Sequence, residues 1–232
     1  MRKVEFANGE RYHIYNRGTD KRPIFSDQFD LQRFLLAIEH FNTLEPIGSI
    51  FENQFIQNSK TSKEKQKTKS LVKIISFCLN PNHYHLILEQ VRDNGVPKFM
   101  QKLGIGYTNY FNIKQRRNGV LFQGKFKAAH IRNNEDLLRL SVYVNLNYRI
   151  HQLGNPIPKL ALTKSSWEDY IGLKRVRVKK TKPKSLCQPK LILEQFKNQT
   201  EYQQFALDLL PILIDKKVAE RELETELTLE EI

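Results

Sequence analysis

The chain has 232 residues, 40% of them hydrophobic and 14 of them Phe, enough for one cored catalytic domain with room for an appendage. Its 38 Lys and Arg outnumber 25 Asp and Glu, and a net charge of +13 draws polyanions in by long-range attraction. No apolar run approaches the ~20 residues of a membrane helix, and the charged start Met1 to Tyr12 lacks an apolar signal segment. Cys78 and Cys187 lie far apart in unlike contexts, which suggests neither a disulfide framework nor a CxxC metal site. The expectation is a reduced, cytoplasmic protein. Charge alone does not separate a nucleic-acid binder from a soluble protein that is merely basic.

Arg11 to Arg17 (RYHIYNR) reads as a strand with Tyr12, Ile14 and Asn16 on one face. Ser26 or Asp27 can cap a helix whose apolar stripe runs through Phe29, Leu31, Phe34, Leu35, Ile38 and Phe41. Pro46 and Gly48 end that pattern, and Ser59 to Ser70 (SKTSKEKQKTKS) holds no apolar residue and reads as a flexible insertion. Leu71 to Leu79 predicts a buried strand, Asn80-Pro81-Asn82 a turn, and His83 to Glu89 a returning strand. Val96 to Ile113 is helical in spacing, and after a turn at Asn118-Gly119 the stretch Val120 to Ile131 reads as extended. Asn133 or Asn134 can cap a helix running to about Ile150, with Glu135 and Asp136 placed near its positive end. The order predicts an α+β fold, an antiparallel sheet with packed helices. Beyond a body spanning 1–173, residues 174–190 read as a basic, proline-broken linker. Residues 191–232 read as a helical appendage, split into two helices by Pro211 and Asp215 and able to fold back on the body.

Two features carry chemistry. Residues i and i+2 of a strand share a face, so His83 and His85 present two imidazoles side by side while Tyr84 points away. By itself such a pair says little, since short motifs recur by chance. On the helix after Asn134, Leu138, Val142 and Leu146 form a core stripe, and Tyr143 and Asn147 share the face beside it. An amide oxygen at Asn147 can complete a metal site one helical turn from the phenol of Tyr143.

Taken together these segments resemble a known family. FCLNPNHYHLILEQ (Phe77 to Gln90) is similar to the apolar-x-PNHxHL signature of single-tyrosine HUH transposases. Gly119 to Gly154 resembles their aromatic-Gln-x-x-Phe strand followed by the tyrosine helix Y-apolar-x-L-N. Tyr12 to Phe25 looks like the group's first strand and turn, and Ser165 to Gly172 its closing segment. The ordered set covers roughly residues 8 to 172, and the variant it most resembles is the REP-associated tyrosine transposase. Tyr84 stands where an aliphatic residue is usual, and Tyr148 where a proline often follows the Asn.

The resemblance implies a ferredoxin-like HUH fold and a metal-dependent transposase or endonuclease acting on single-stranded or hairpin DNA. It implies Tyr143 as the catalytic nucleophile forming a 5′-phosphotyrosine, and His83, His85 and Asn147 as ligands of Mg²⁺ or Mn²⁺. Arg116, Arg117, Lys125, Lys127 and Arg132 flank the tyrosine helix and are candidate phosphate contacts, with Phe122 and Phe126 read as core. His130 and Lys127 lie near Tyr143 in sequence and are the candidates to assist its deprotonation. The implied protein is a nucleoid-associated monomer or homodimer. The competing expectation is a domesticated or catalytically silent protein that binds repeat hairpins.

Overall fold

The computed structural model describes residues 4–50, 70–150, 162–173 and 185–229. Almost all of the expected insertion, and the basic run from 174 to 184, lie outside the described residues.

Alternation in RYHIYNR builds β1 (Arg11–Arg17), with Tyr12, Ile14 and Asn16 buried on one face and His13, Tyr15 and Arg17 on the other. β2 (Val72–Asn80) and β3 (His83–Gln90) form a hairpin turned by Pro81 and Asn82. Both strands are nearly continuous apolar runs because helices cover both faces of the sheet. β4 (Lys127–His130) pairs with β1, and the short β5 (Lys164–Ser165) pairs with β2. The order β4-β1-β3-β2-β5, antiparallel throughout, places the histidine strand at the centre. Of the expected extended stretch from Val120 to Ile131, only β4 is a strand. The segment before it turns at Gly119 and Gly124, which hold φ of +89° and +69°, and Gln123 donates its N–H to Arg17 O.

One face carries α1 (Gln28–Phe41) and α2 (Gly95–Lys114). Asp27 caps α1 by accepting from Asp30 N at 2.9 Å. Phe34 packs its ring on Tyr84 of β3 and Tyr107 of α2, at 5.3 and 4.7 Å. Phe29, expected on the buried stripe, is 73% exposed: it sits in the first turn, off the sheet, beneath the Lys114 ammonium. The fully buried Asp30 locks α1 to α2 by accepting from Lys114 Nζ (2.7 Å), Tyr110 Oη (3.1 Å) and Ser26 N (2.8 Å).

The opposite face carries α3 (Asn134–Asn145) and the short α4 (Asn147–Ile150), with Asn133 capping α3 through Asp136 N at 2.8 Å. The single helix expected to Ile150 is interrupted at Leu146, where ψ is 12°. Leu138 is only half-buried, while Leu137, Ser141, Val144 and Asn145 are buried beside Val142 and Leu146. α3 lies between the sheet and a C-terminal helix, so two of its faces are covered rather than one stripe.

α5 (Trp167–Tyr170) and α6 (Lys190–Leu193) lead to α7 (Gln199–Leu229). The expected break at Pro211 and Asp215 is absent: α7 is continuous. Proline costs the helix one N–H donor, here where residues 211 and 212 are exposed, and the turns on either side hold. α7 packs on the body through Tyr202, fully buried among Tyr170 (4.9 Å), Phe196 (5.2 Å) and Trp167 (6.1 Å). Among the described residues no helix is long and apolar enough to cross a membrane.

Candidate active site

The pleat of β3 sends His83 and His85 toward α3 and Tyr84 toward α1. The two imidazoles stand 5.2 Å apart between centroids and nearly perpendicular. Two imidazoles sharing one ion through nitrogens at ~2.1 Å have centroids about 4.5–5.5 Å apart for angles between 90° and the tetrahedral value. Tyr84 is 3% exposed against Phe34 and Phe122, and burial pushes its phenol well above the usual range. It belongs to the other layer.

His85 Nδ1 lies 2.9 Å from His13 Nε2 with the rings stacked, and Tyr15 stacks on His85 at 5.8 Å. Burial pulls His13 down to about 4, so it is neutral near pH 7. His83 Nδ1 faces Asn82 Oδ1 at 2.7 Å, and His83 Nε2 faces Asn147 Oδ1 at 3.1 Å. Burial also lowers His83, with the Asn147 hydrogen bond opposing and the Arg17 charge adding to the effect. A neutral imidazole has one N–H, so His83 cannot donate to both amide oxygens at once.

Fourfold spacing carries across the interruption at Leu146 and keeps Tyr143 and Asn147 on the face toward the histidines. The Tyr143 ring meets His85 edge-on at 5.5 Å and His13 at 6.1 Å. Burial raises the phenol; the Lys217 charge from α7 and the hydrogen bond with Asn147 act against it, while Glu220 and Cys78 add to it. The intervening Asn145 turns away, accepting from Ser166 Oγ at 2.5 Å and donating to Tyr202 Oη at 3.0 Å. The two asparagines of the Y-V-N-L-N run thus have different tasks, one bracing α3 and one facing the histidines.

The donor set suits a divalent ion. Among the described residues no group of three or more His, Cys, Asp or Glu could hold a metal, so an ion bound here would need the amide beside the imidazoles. Asn147 is fully buried, its Oδ1 accepting from Asn80 Nδ2 at 2.8 Å and facing His83 Nε2 at 3.1 Å. Two imidazoles and an amide oxygen are donors of the kind that Mg²⁺ or Mn²⁺ accepts.

The candidate phosphate contacts divide. Lys127 pairs directly with Tyr15, which puts it on the histidine face at the sheet edge. Lys125 and Arg132 are exposed on either side of β4. Arg116 and Arg117 follow the end of α2, in the layer away from Tyr143, where the Arg117 guanidinium donates to Val120 O at 2.7 Å. Phe122 and Phe126 pack against the core. His130 pairs with Tyr12, on the face opposite the histidines, and is tied to Glu10 at 2.6 Å; it is too misplaced to deprotonate Tyr143. The sequence reading missed His13, Tyr15 and Arg17, though the alternation that buries Tyr12, Ile14 and Asn16 already assigned them to a common second face. Lys217 carried no local signal.

A five-stranded antiparallel sheet between helical layers thus sets a histidine pair on its central strand against a tyrosine and an amide on one helix. Residues 48–147 match the sequence model of the family described as "Transposase IS200 like". A solved structure described as "Structure of the REP associates tyrosine transposase bound to a REP hairpin" has the same fold. It is 10% identical, with a TM-score of 0.51, over 81% of this chain and 93% of that one. No curated protein matches the chain. The chain thus resembles the IS200-like transposase model over residues 48–147 and shares the fold of that solved structure.

Proposed function

We propose that the chain is a metal-dependent transposase or endonuclease of single-stranded DNA, cutting and rejoining at hairpin or palindromic ends through a 5′-phosphotyrosine on Tyr143. The observation that carries this reading is the convergence of Tyr143 on His85 (5.5 Å) with that of Asn147 on His83 (3.1 Å). His83, His85 and Asn147 would hold Mg²⁺ or Mn²⁺. The ion, when bound, neutralises charge on the scissile phosphate.

The remaining chemistry belongs to the chain. Tyr143 loses its phenolic proton, with Lys217 and the Asn147 hydrogen bond favouring the phenolate against burial. Its oxygen attacks phosphorus in line, the P–O3′ bond breaks, and the departing 3′ oxygen takes up a proton. The new ester stores the energy of the broken bond, and a second 3′-hydroxyl can reverse the step without ATP. The solved relative is bound to a REP hairpin, and the basic charge of this chain suits the same class of substrate.

Tyr143→Phe removes one oxygen and leaves the ring contacts. It is expected to keep DNA affinity and lose the denaturant-resistant protein–DNA adduct, which mass spectrometry should locate on the Tyr143 peptide of the unaltered chain. An adduct that persists in the variant, or maps to another tyrosine, refutes the assignment.

A further inference from the structure

Asn80 ends β2 and lies directly across the hairpin from His83, so its side chain shares the histidine face. It is buried, and its Nδ2 lies 2.8 Å from Asn147 Oδ1 and 3.0 Å from His83 Nε2, atoms that are themselves 3.1 Å apart. Three polar atoms thus form a nearly equilateral triangle. Neighbouring donors around an octahedral ion, each at about 2.1 Å from it, are about 3 Å apart. The spacing is that of three ligands on one face of a coordination sphere.

In this triangle the Asn80 amino group donates to two acceptors, holding together with N–H bonds what a cation holds with charge. Its carbonyl oxygen has a far weaker partner, the Cys78 thiol at 3.8 Å. A half-turn about the Cβ–Cγ bond exchanges two ends of nearly equal shape, bringing Oδ1 into the triangle and leaving the amino group beside a sulfur that accepts weakly. Little is lost in that exchange once a cation is present, and without one the present setting is preferred.

Building on the metal-dependent reading above, we propose that Asn80 is a fourth protein ligand of the ion held by His83, His85 and Asn147, its carboxamide turning from an amino-inward setting to an oxygen-ligated one when the ion enters. Four protein donors leave two positions of six for phosphate oxygens or water. A second amide oxygen makes the donor set harder, favouring Mg²⁺ and Mn²⁺ over softer ions. The position is one of the two variable ones in the apolar-x-PNHxHL signature, so the ligand belongs to this chain's own sequence.

The test is Mn²⁺ binding to the full chain, by calorimetry and by the paramagnetic-resonance signal of unbound Mn²⁺, with no DNA present. Asn80→Leu is expected to weaken Mn²⁺ binding about 10- to 100-fold. Asn80→Asp, which keeps the volume and adds a charged oxygen, is expected to tighten it about tenfold or more, and provides the answer if the leucine variant does not fold. Undiminished or tighter binding by Asn80→Leu, as removal of an obstructing amino group would give, overturns the proposal, as does an aspartate variant no tighter than the parent. If the parent chain takes up no Mn²⁺, or His83→Ala binds it equally well, the metal-dependent reading itself fails.

Discussion

Removing one oxygen from Tyr202 tests whether the C-terminal helix is structurally continuous with the helix that carries Tyr143. The Tyr202 hydroxyl accepts from Asn145 Nδ2 at 3.0 Å and lies 3.1 Å from Ser141 Oγ, whose own proton goes to Leu138 O at 2.7 Å. Asn145 Oδ1 accepts from Ser166 Oγ, which in turn accepts from Phe77 N at 2.9 Å. The network thus runs from β2 through α5 and α3 to α7, and Ser141, Asn145 and Ser166 are fully buried. Tyr202→Phe keeps the ring contacts with Trp167, Tyr170 and Phe196 but leaves the Asn145 amide without an acceptor in a place water does not reach. An orphaned buried donor costs about 1–3 kcal/mol, which in a chain of this size lowers Tm by about 4–8 °C for the middle of that range. Tyr202→Ala, which also empties a cavity among three aromatic rings, should cost about 3–5 kcal/mol. Calorimetric unfolding of both variants at neutral pH measures the difference. A Tyr202→Phe variant within about 0.5 kcal/mol of the parent, the scatter of neutral surface changes, would refute the idea that this network braces α3.

His13→Phe keeps a ring stacked on His85 but removes the nitrogen facing His85 Nδ1, and Mn²⁺ affinity should fall about tenfold or more; unchanged affinity would show that His13 does not orient the ligand. Lys127→Ala should reduce the salt slope of single-stranded DNA binding by roughly one phosphate contact, whereas an unchanged slope would place the DNA backbone elsewhere. Lys114→Met deprives the buried Asp30 of its cation and should cost about 1–3 kcal/mol in denaturant unfolding. Lys114 also depresses Asp27 below its ordinary value near 3.8, so that pair's contribution is full above this value and lost as pH falls through the folded pKa. The parent should therefore lose more stability on acidification below pH 4 than Lys114→Met does, and parallel acid-unfolding curves would contradict this. Burial holds the Tyr143 phenol above its usual value, so adduct formation should accelerate as pH rises from 7 to 9; a flat profile would mean that its deprotonation does not limit the reaction.

Much of this architecture is written in local pattern. The alternation of Arg11 to Arg17, the apolar hairpin around Pro81-Asn82 and the caps at Asp27 and Asn133 were legible because each is decided within a few residues. The parity that puts His83 and His85 together and Tyr84 away is of the same kind, as is the fourfold step from Tyr143 to Asn147. Other features depended on neighbours distant in sequence. That α3 is buried on two faces, making Leu137 core and Leu138 only its edge, follows from α7 packing outside it through Tyr202. That Asn147 and not Asn145 faces the histidines follows from Ser166 and Tyr202 claiming Asn145. The meeting of His13 with His85 follows from the pairing of β1 with β3, a register that aligns residues more than seventy positions apart. Helix and strand periodicities encode which way a side chain points along its own element. Only the packing of elements, driven by burial of their apolar faces, decides what it meets there.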